Sequence, residues 1–441
     1  MSRVKFAIGC LLIIAFGGML MSGLAAGAKE PMYKGITLTL SSHRGPSTAA
    51  YEKLIPEFEE KFGAKVIFEI GPYGMLRAKH FTESAAHTGV FDVISFPHVE
   101  LGAYVQGEVI RDLNPYLQNP ALADPEYDIQ DFVPFVLDAY GLYDSGRYAL
   151  PYKFDVFIAM FRKDLFLQYG LTSPGYFTYE VLLEVAEKLA PELEQGIYPV
   201  VLPLKSPVAS FTPWASVFIS NGGTFFDENK YPLFHQKAGV DSLNYLKKLL
   251  PFMPPDVASY DFDVANNAFA QGKAVYSINW HAYFPTVLDP NESVVYDQVG
   301  FVVSPKGRSR QAQQLGGWAV GISPDSRNPE AAFQLVQFLT SKKNAVRFAL
   351  NGGASARMSV AEDTEVVAKI PYYPLLIKAL ELAFRKPNDP SWPASQDFMG
   401  VAVGNALIGK DAANELTMAA RKAYAEVQKF GYSPQQTASS P

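Results

Sequence analysis

Six histidines, at 43, 80, 87, 98, 235 and 281, are the first residues to test for chemistry. None stands in an HxH or HExxH spacing and no cysteine pair accompanies them, so no metal site or other cofactor is expected. No GxSxG elbow and no Walker loop occurs, and Gly222-Gly223 and Gly316-Gly317 match neither a phosphate-cradling nor a dinucleotide-binding spacing. Asp92, Glu100 and Asp155 are carboxylates of the kind that a glycoside hydrolase sets across a cleft at roughly 5–10 Å. Nothing in the sequence pairs them, and no enzyme is expected. What the chain does carry is rings and polar groups where apolar strands end. Ser42, His43 and Arg44 follow one strand; Trp280, His281 and Tyr283 follow another; Gly316, Gly317 and Trp318 open the run QLGGWAVGIS, where the two glycines would allow close approach of backbone to a ligand. Trp214, Arg357 (in GGASARMS) and Trp392 (in KPNDPSWP) are further candidates. Planar rings for C–H faces, with carboxylate, amide or guanidinium groups for hydroxyls, suit a polyhydroxylated ligand.

The elements that must position these residues follow from periodicity. Ile36–Leu40 alternates apolar and polar residues and reads as a strand, running into a polar loop from Ser41 to Pro46. A helix over Ala49–Phe62 is expected, capped by Ser47 or Thr48. Strand Lys65–Ile70, helix Arg77–Ala86 and strand Phe91–Phe96 come next, a strand-helix alternation that predicts a parallel sheet covered on both faces. Ligands of such sheets lie at the carboxyl ends of strands, here Ser41–Arg44 and Phe96–Glu100. Farther on, strands are expected at Val156–Phe161, Ala274–Asn279 and Val299–Val303. Helices are expected at Tyr179–Leu189, Gly239–Leu249, Asp263–Gln271 and Glu330–Thr340. Two longer helical regions, Thr364–Arg385 and Gln396–Ala425, close the chain, the second with a break at Gly409.

Arg3 and Lys5, the apolar run Phe6–Leu24 and the small residues Ala26-Gly27-Ala28 read as a cleaved signal peptide over residues 1–28. The single cysteine, Cys10, lies within it, so an exported chain would rely on a large core and not on disulfides. Hydrophobic residues make up 48% of the chain, which excludes disorder, and the formal charge of −6 argues against nucleic acid. Ser433–Pro441 holds no core-forming residue and reads as a flexible tail.

Six segments in series carry a family likeness: PEFEEKFGAKV, FDVISFPHVELGAYVQGEVIRDL, YALPYKFDVFIAMFRKDLF, FISNGGTFF, FAQGKAVYSINW and LGGWAVGISPDSRNPEAAFQLVQFLTS. The chain resembles the extracellular solute-binding proteins of ABC importers, in the sugar-binding group that includes maltose-binding protein. The resemblance implies an α/β, periplasmic-binding-protein type II-like fold of two lobes with a hinge and an interlobe cleft. The expected lobes are 29–151 plus 305–345 and 152–304 plus 346–432. Crossovers are expected near Pro151–Asp155, near Val299–Ser304, and between Thr340 and Gly353. It also implies a monomer in the periplasm that delivers a sugar or sugar-like solute to membrane permease subunits. A polyol, an anionic sugar derivative or a polyamine stands as the alternative ligand. By position in the family pattern, Asp155 would accept from ligand hydroxyls, with a hinge-stabilising pairing to Lys153 or Arg162 as its other reading. Phe96 would stack on a sugar or fill the core. Val99 and Glu100 depart from the maltose-type pattern, as does Ala356, where the family carries proline.

Overall fold

The computed structural model describes residues 32–431. The expected signal peptide and tail lie outside the described residues. Strands β1 (Thr37–His43), β2 (Lys65–Gly71) and β3 (Val93–Pro97) form a parallel group with β1 in the middle. A small hairpin, β4 (Leu142–Tyr143) with β5 (Gly146–Arg147), precedes the long strand β6 (Leu150–Arg162). β7 (Tyr198–Val201) runs parallel to β8 (Ala274–Trp280). β9 (Val299–Val302), β10 (Gln313–Ile322) and β11 (Ala383–Phe384) complete the set.

One nine-stranded sheet has the order β2-β1-β3-β10-β6-β8-β7, with β9 added to β6 and β11 to β10. β10 is antiparallel to β3 and β6, with β11 parallel to it, and β6 is antiparallel to β8 and β9, so β10 and β6 join the two parallel groups. Each changes partner along its length. Leu150–Phe157 of β6 pairs with β10, and Phe157–Arg162 pairs with β8 and β9. β6 is buried on both faces for most of its length, because helices cover the sheet on either side.

Three local expectations are corrected. β1 continues through Ser41, Ser42 and His43 instead of ending in a loop, because β2 goes on pairing it as far as Gly71. The polar side chains are satisfied internally: Ser41 Oγ lies 2.7 Å from His80 Nε2, and Ser42 Oγ lies 2.7 Å from Thr48 Oγ1. The helix expected over Ala49–Phe62 is two helices, Pro46–Glu52 and Ile55–Phe62. Pro56 has no N–H to bond back to Glu52, which ends the first helix. Gly45 precedes that helix with no side-chain cap, and Thr48 donates instead to the His43 carbonyl at 2.6 Å. β6 likewise begins at Leu150, not Val156. The proline at 151 is tolerated because the β6–β10 register shifts beside it, between Trp318 and Ala319, and Tyr152 becomes the extra residue of a bulge.

The last two helical regions also divide. The first holds helices Thr364–Lys369 and Tyr373–Glu381 before β11, and the second holds Trp392–Leu407 and Ala412–Lys429. Gly409, at φ +111°, lies in the break between the latter pair, at the position expected.

Candidate functional site

The middle of the sheet brings the candidate residues together at Gly316-Gly317-Trp318. Register places Gly316 opposite Asp155, Gly317 opposite Phe154 and Trp318 opposite Lys153 on β6, while Trp318 faces Pro97 on β3. The Trp318 ring stacks on His43 from the end of β1, with centroids 4.0 Å apart, and meets the edge of Tyr73 at 5.6 Å. Beside them Lys153 Nζ lies 3.3 Å from Asp155 Oδ2, both side chains being almost enclosed. Trp280, at the end of β8, is half-buried and packs over Gly316.

The imidazoles here are neutral. Burial, helped by the Lys153 charge and opposed by Asp155, lowers the His43 pKa to about 3. Its Nδ1 is buried without a hydrogen-bond partner. Burial lowers His281 to about 4, against the pull of Asp155, and its Nδ1 accepts from the Val156 amide at 3.1 Å. The 3.8 Å approach of His281 Nδ1 to Asp155 Oδ1 is therefore not an ion pair, because the lone pair is already in use. A cavity of about 350 Å³ opens next to this group, lined by Lys153, Asp155, His281, Gly353 and Tyr372 among others. That volume falls within the roughly 300–1,000 Å³ of small-molecule sites.

The glycines have a different job from the one expected. Close approach of their backbone to a ligand is the sequence reading, but protein groups occupy those spaces. A Cβ on Gly316 would meet the Trp280 ring at 2.7 Å and Asp155 Cβ at 3.2 Å. Gly317 has φ +110°, and a Cβ there would strike the Tyr140 hydroxyl and the Lys153 carbonyl. The Gly316 carbonyl accepts from Tyr140, the Gly317 carbonyl accepts from His98 Nδ1 at 3.2 Å, and those two rings stack at 4.5 Å. Both glycines thus seat the rings behind the site. Gly317→Ala is expected to cost about 3 kcal/mol of stability through strain and displacement of Tyr140. A urea midpoint equal to that of the unaltered protein would refute this.

Four candidates are core residues. Phe96 is fully buried and stacks on Tyr104 at 4.4 Å. Trp214 is fully buried, stacks on Phe218 at 5.0 Å and donates from Nε1 to the Gly239 carbonyl at 3.1 Å. Trp392 is fully buried among Phe211, Phe225 and Phe226. Arg357 has no exposed surface; it donates to the carbonyls of Thr340, Asp128 and Tyr127 and pairs with Asp131 at 3.2 Å. None of the four presents a face to a ligand; Trp392 Nε1 has no hydrogen-bond partner but is buried. Ser42 is buried and spent on Thr48, and Arg44 is exposed. Tyr283, half-buried, stacks loosely on Phe262, and burial with nearby Asp263 and Asp155 raises its phenol. Asp155, His43, His281, Trp280 and Trp318 remain as the cluster.

Lys386 escaped the sequence reading, and Glu100 figures there only as an unpaired carboxylate and a departure from the maltose-type pattern. Glu100 is buried and accepts from the Tyr73 hydroxyl and, at 2.8 Å, from Arg77 Nε. Burial and the charge of Asp397 nonetheless push its carboxyl up to about 8. Lys386 places its ammonium 5.7 Å from the centre of the Trp280 ring and 5.8 Å from Phe211. It begins the very segment in which Trp392 drew attention. The one available signal was the Arg385-Lys386 pair after the apolar pair of β11, at the head of a stretch rich in proline.

A curled mixed sheet crossed by two long central strands, with rings and a charged pair where they meet, defines a type II-like periplasmic-binding-protein fold. A solved solute-binding protein from Agrobacterium radiobacter in complex with ribitol superposes with a TM-score of 0.80 at 29% identity, covering 90% of this chain and 100% of that one. The family model for bacterial extracellular solute-binding proteins matches residues 44–346, and the chain belongs to that family. Among curated relatives, a probable amino-acid ABC transporter periplasmic-binding protein of Sinorhizobium fredii is 26% identical, covering 86% of this chain and 87% of its own. A mannitol-binding protein of Pseudomonas aeruginosa is 29% identical over 69% of each chain.

Proposed function

We propose that this protein is the exported substrate-binding component of an ABC importer, capturing a polyol or small sugar and passing it to membrane permease subunits. The observation that carries the reading is the Lys153–Asp155 pair set beside the His43–Trp318 stack and Trp280. A carboxylate and an ammonium side by side receive and donate to neighbouring hydroxyls, while indole faces cover C–H surface. A relative named for mannitol and a solved structure in complex with ribitol support the same ligand chemistry. The lobes would be 29–151 plus 305–345 and 152–304 plus 346–432, closing about β6 and β10. Ligand favours closure only through its greater affinity for the closed state. Residues 1–28 would direct the chain to the periplasm, where it would act as a monomer.

A thermal-shift screen across ribitol, mannitol, small sugars, maltose and the common amino acids tests this, since a ligand that binds only the native state raises its melting temperature. Stabilisation by polyols or small sugars is expected. A response to amino acids alone, as the name of the Sinorhizobium relative would suggest, would overturn it. Trp280→Ala is expected to weaken the best ligand at least tenfold by titration calorimetry, about 1.4 kcal/mol or more. An unchanged dissociation constant would make Trp280 a packing residue.

A further inference from the structure

Lys386 is unusual among the cations of this molecule. It is 8% exposed, and among the described residues its ammonium makes no hydrogen bond and no ion pair. Its neighbours are ring faces: Trp280, which borders the site, and Phe211. Other enclosed cations have partners. Lys153 has Asp155, Arg357 has Asp131 and three carbonyls, and Arg162 has Asp164. The charged and titratable groups near Lys386 do not relieve it. His98, from the turn after β3, is held neutral near 3 by burial together with the Lys386 and Arg385 charges, and its Nδ1 proton goes to Gly317. Arg385 is a second cation, directed at the Leu142 carbonyl at 3.4 Å. Burial brings the Lys386 pKa down to about 7, and no carboxylate offsets that effect.

A largely enclosed ammonium without a protein acceptor is costly, and ring faces return only about 2 kcal/mol of the loss. A neutral hydroxyl would meet it as one weak acceptor. A carboxylate would neutralise it and restore a charge-assisted bond. We propose that Lys386 makes this a site for a polyhydroxylated acid, an open-chain sugar acid whose hydroxyls meet Lys153 and Asp155 and whose carboxylate meets Lys386. The inference rests on the polyol reading above and sharpens its ligand class.

The test compares molecules that differ only at one end: D-mannitol against D-mannonate, and ribitol against D-ribonate, by titration calorimetry on the unaltered protein. Each acid is expected to bind at least tenfold tighter than its alcohol. In Lys386→Met that ratio should fall below about two, and in Lys386→Arg it should recover in part. Binding must also take up a proton. A carboxylate raises the lysine's pKa above its free value near 7, so at pH 8 calorimetry in two buffers of different ionisation heat should show uptake for the acids. Acid affinity should then fall as pH rises above 7, while alcohol affinity stays flat. Alcohols binding as well as acids, or a ratio unchanged in Lys386→Met, would overturn the proposal while leaving the polyol reading intact. Tighter binding of mannitol 1-phosphate than of mannonate would overturn the carboxylate assignment. Binding of no member of either pair would overturn both.

Discussion

Asp155→Ala is expected to weaken the ligand at least a hundredfold, the largest effect of any single change at the site. The side chain is almost enclosed, sits 3.3 Å from the Lys153 ammonium and lines the cavity. Its removal takes away the acceptor for ligand hydroxyls, each charge-assisted bond being worth about 1.5–3 kcal/mol. It also leaves Lys153 enclosed without its counter-charge. Two such bonds lost correspond to more than two decades in the dissociation constant. Asp155→Asn keeps the shape and one acceptor oxygen but removes the charge, and should fall between the two. Calorimetric titration of both variants, with circular dichroism as the check on folding, decides the matter. A loss smaller than fivefold in Asp155→Ala would return the residue to its other reading, a brace for Lys153 within the central strands. That pairing is present in the structure, so the experiment weighs two roles that share one geometry.

The second large effect is on folding. Arg357→Met is expected to destabilise the protein by about 3–5 kcal/mol, because it leaves Asp131 buried without its counter-charge and three carbonyls without their donor. The guanidinium spans Thr340, Asp128, Tyr127 and Asp131 and lies over the rings of Phe132 and Tyr127. It thereby pins the segment after helix Lys342–Leu350 to the region that follows Tyr127. Asp131 also accepts from the Ser359 amide at 3.0 Å, so the pair organises both strands of chain. Arg357→Lys should recover little, since an ammonium cannot reproduce the planar fork that serves four acceptors at once. Urea denaturation of the two variants gives the answer. A Met variant within 1 kcal/mol of the unaltered protein would show that the cluster is dispensable.

Local periodicity was a sound guide where an element is decided by its own residues. Helix Tyr179–Leu189 has its expected bounds, with the Thr178 side chain accepting from the Val181 amide. β2, β8 and β9 lie within two residues of the expected strands. Periodicity failed where a distant partner extends or interrupts an element. Ser41 to His43 carry no strand signal of their own; β2 makes them a strand. Leu150–Asp155 holds a proline and reads as a connection, yet β10 pairs it throughout with a bulge to accommodate the missing donor.

The chain's own residues thus determined the alternation of strands and helices, the family, and a short set of positions at strand ends from which Asp155, His43, His281, Trp280 and Trp318 emerge together. Tertiary structure alone decided which large side chains face the site. An indole's exposure depends on what packs against it: Trp392 is closed in by Phe211, Phe225 and Phe226, more than a hundred residues earlier, while Trp280 keeps part of its surface free. Arg357 and Lys386 show the same for charge. Both are buried cations in unremarkable sequence. One finds its acceptors within the fold and becomes part of the framework, and the other finds none and points to a ligand.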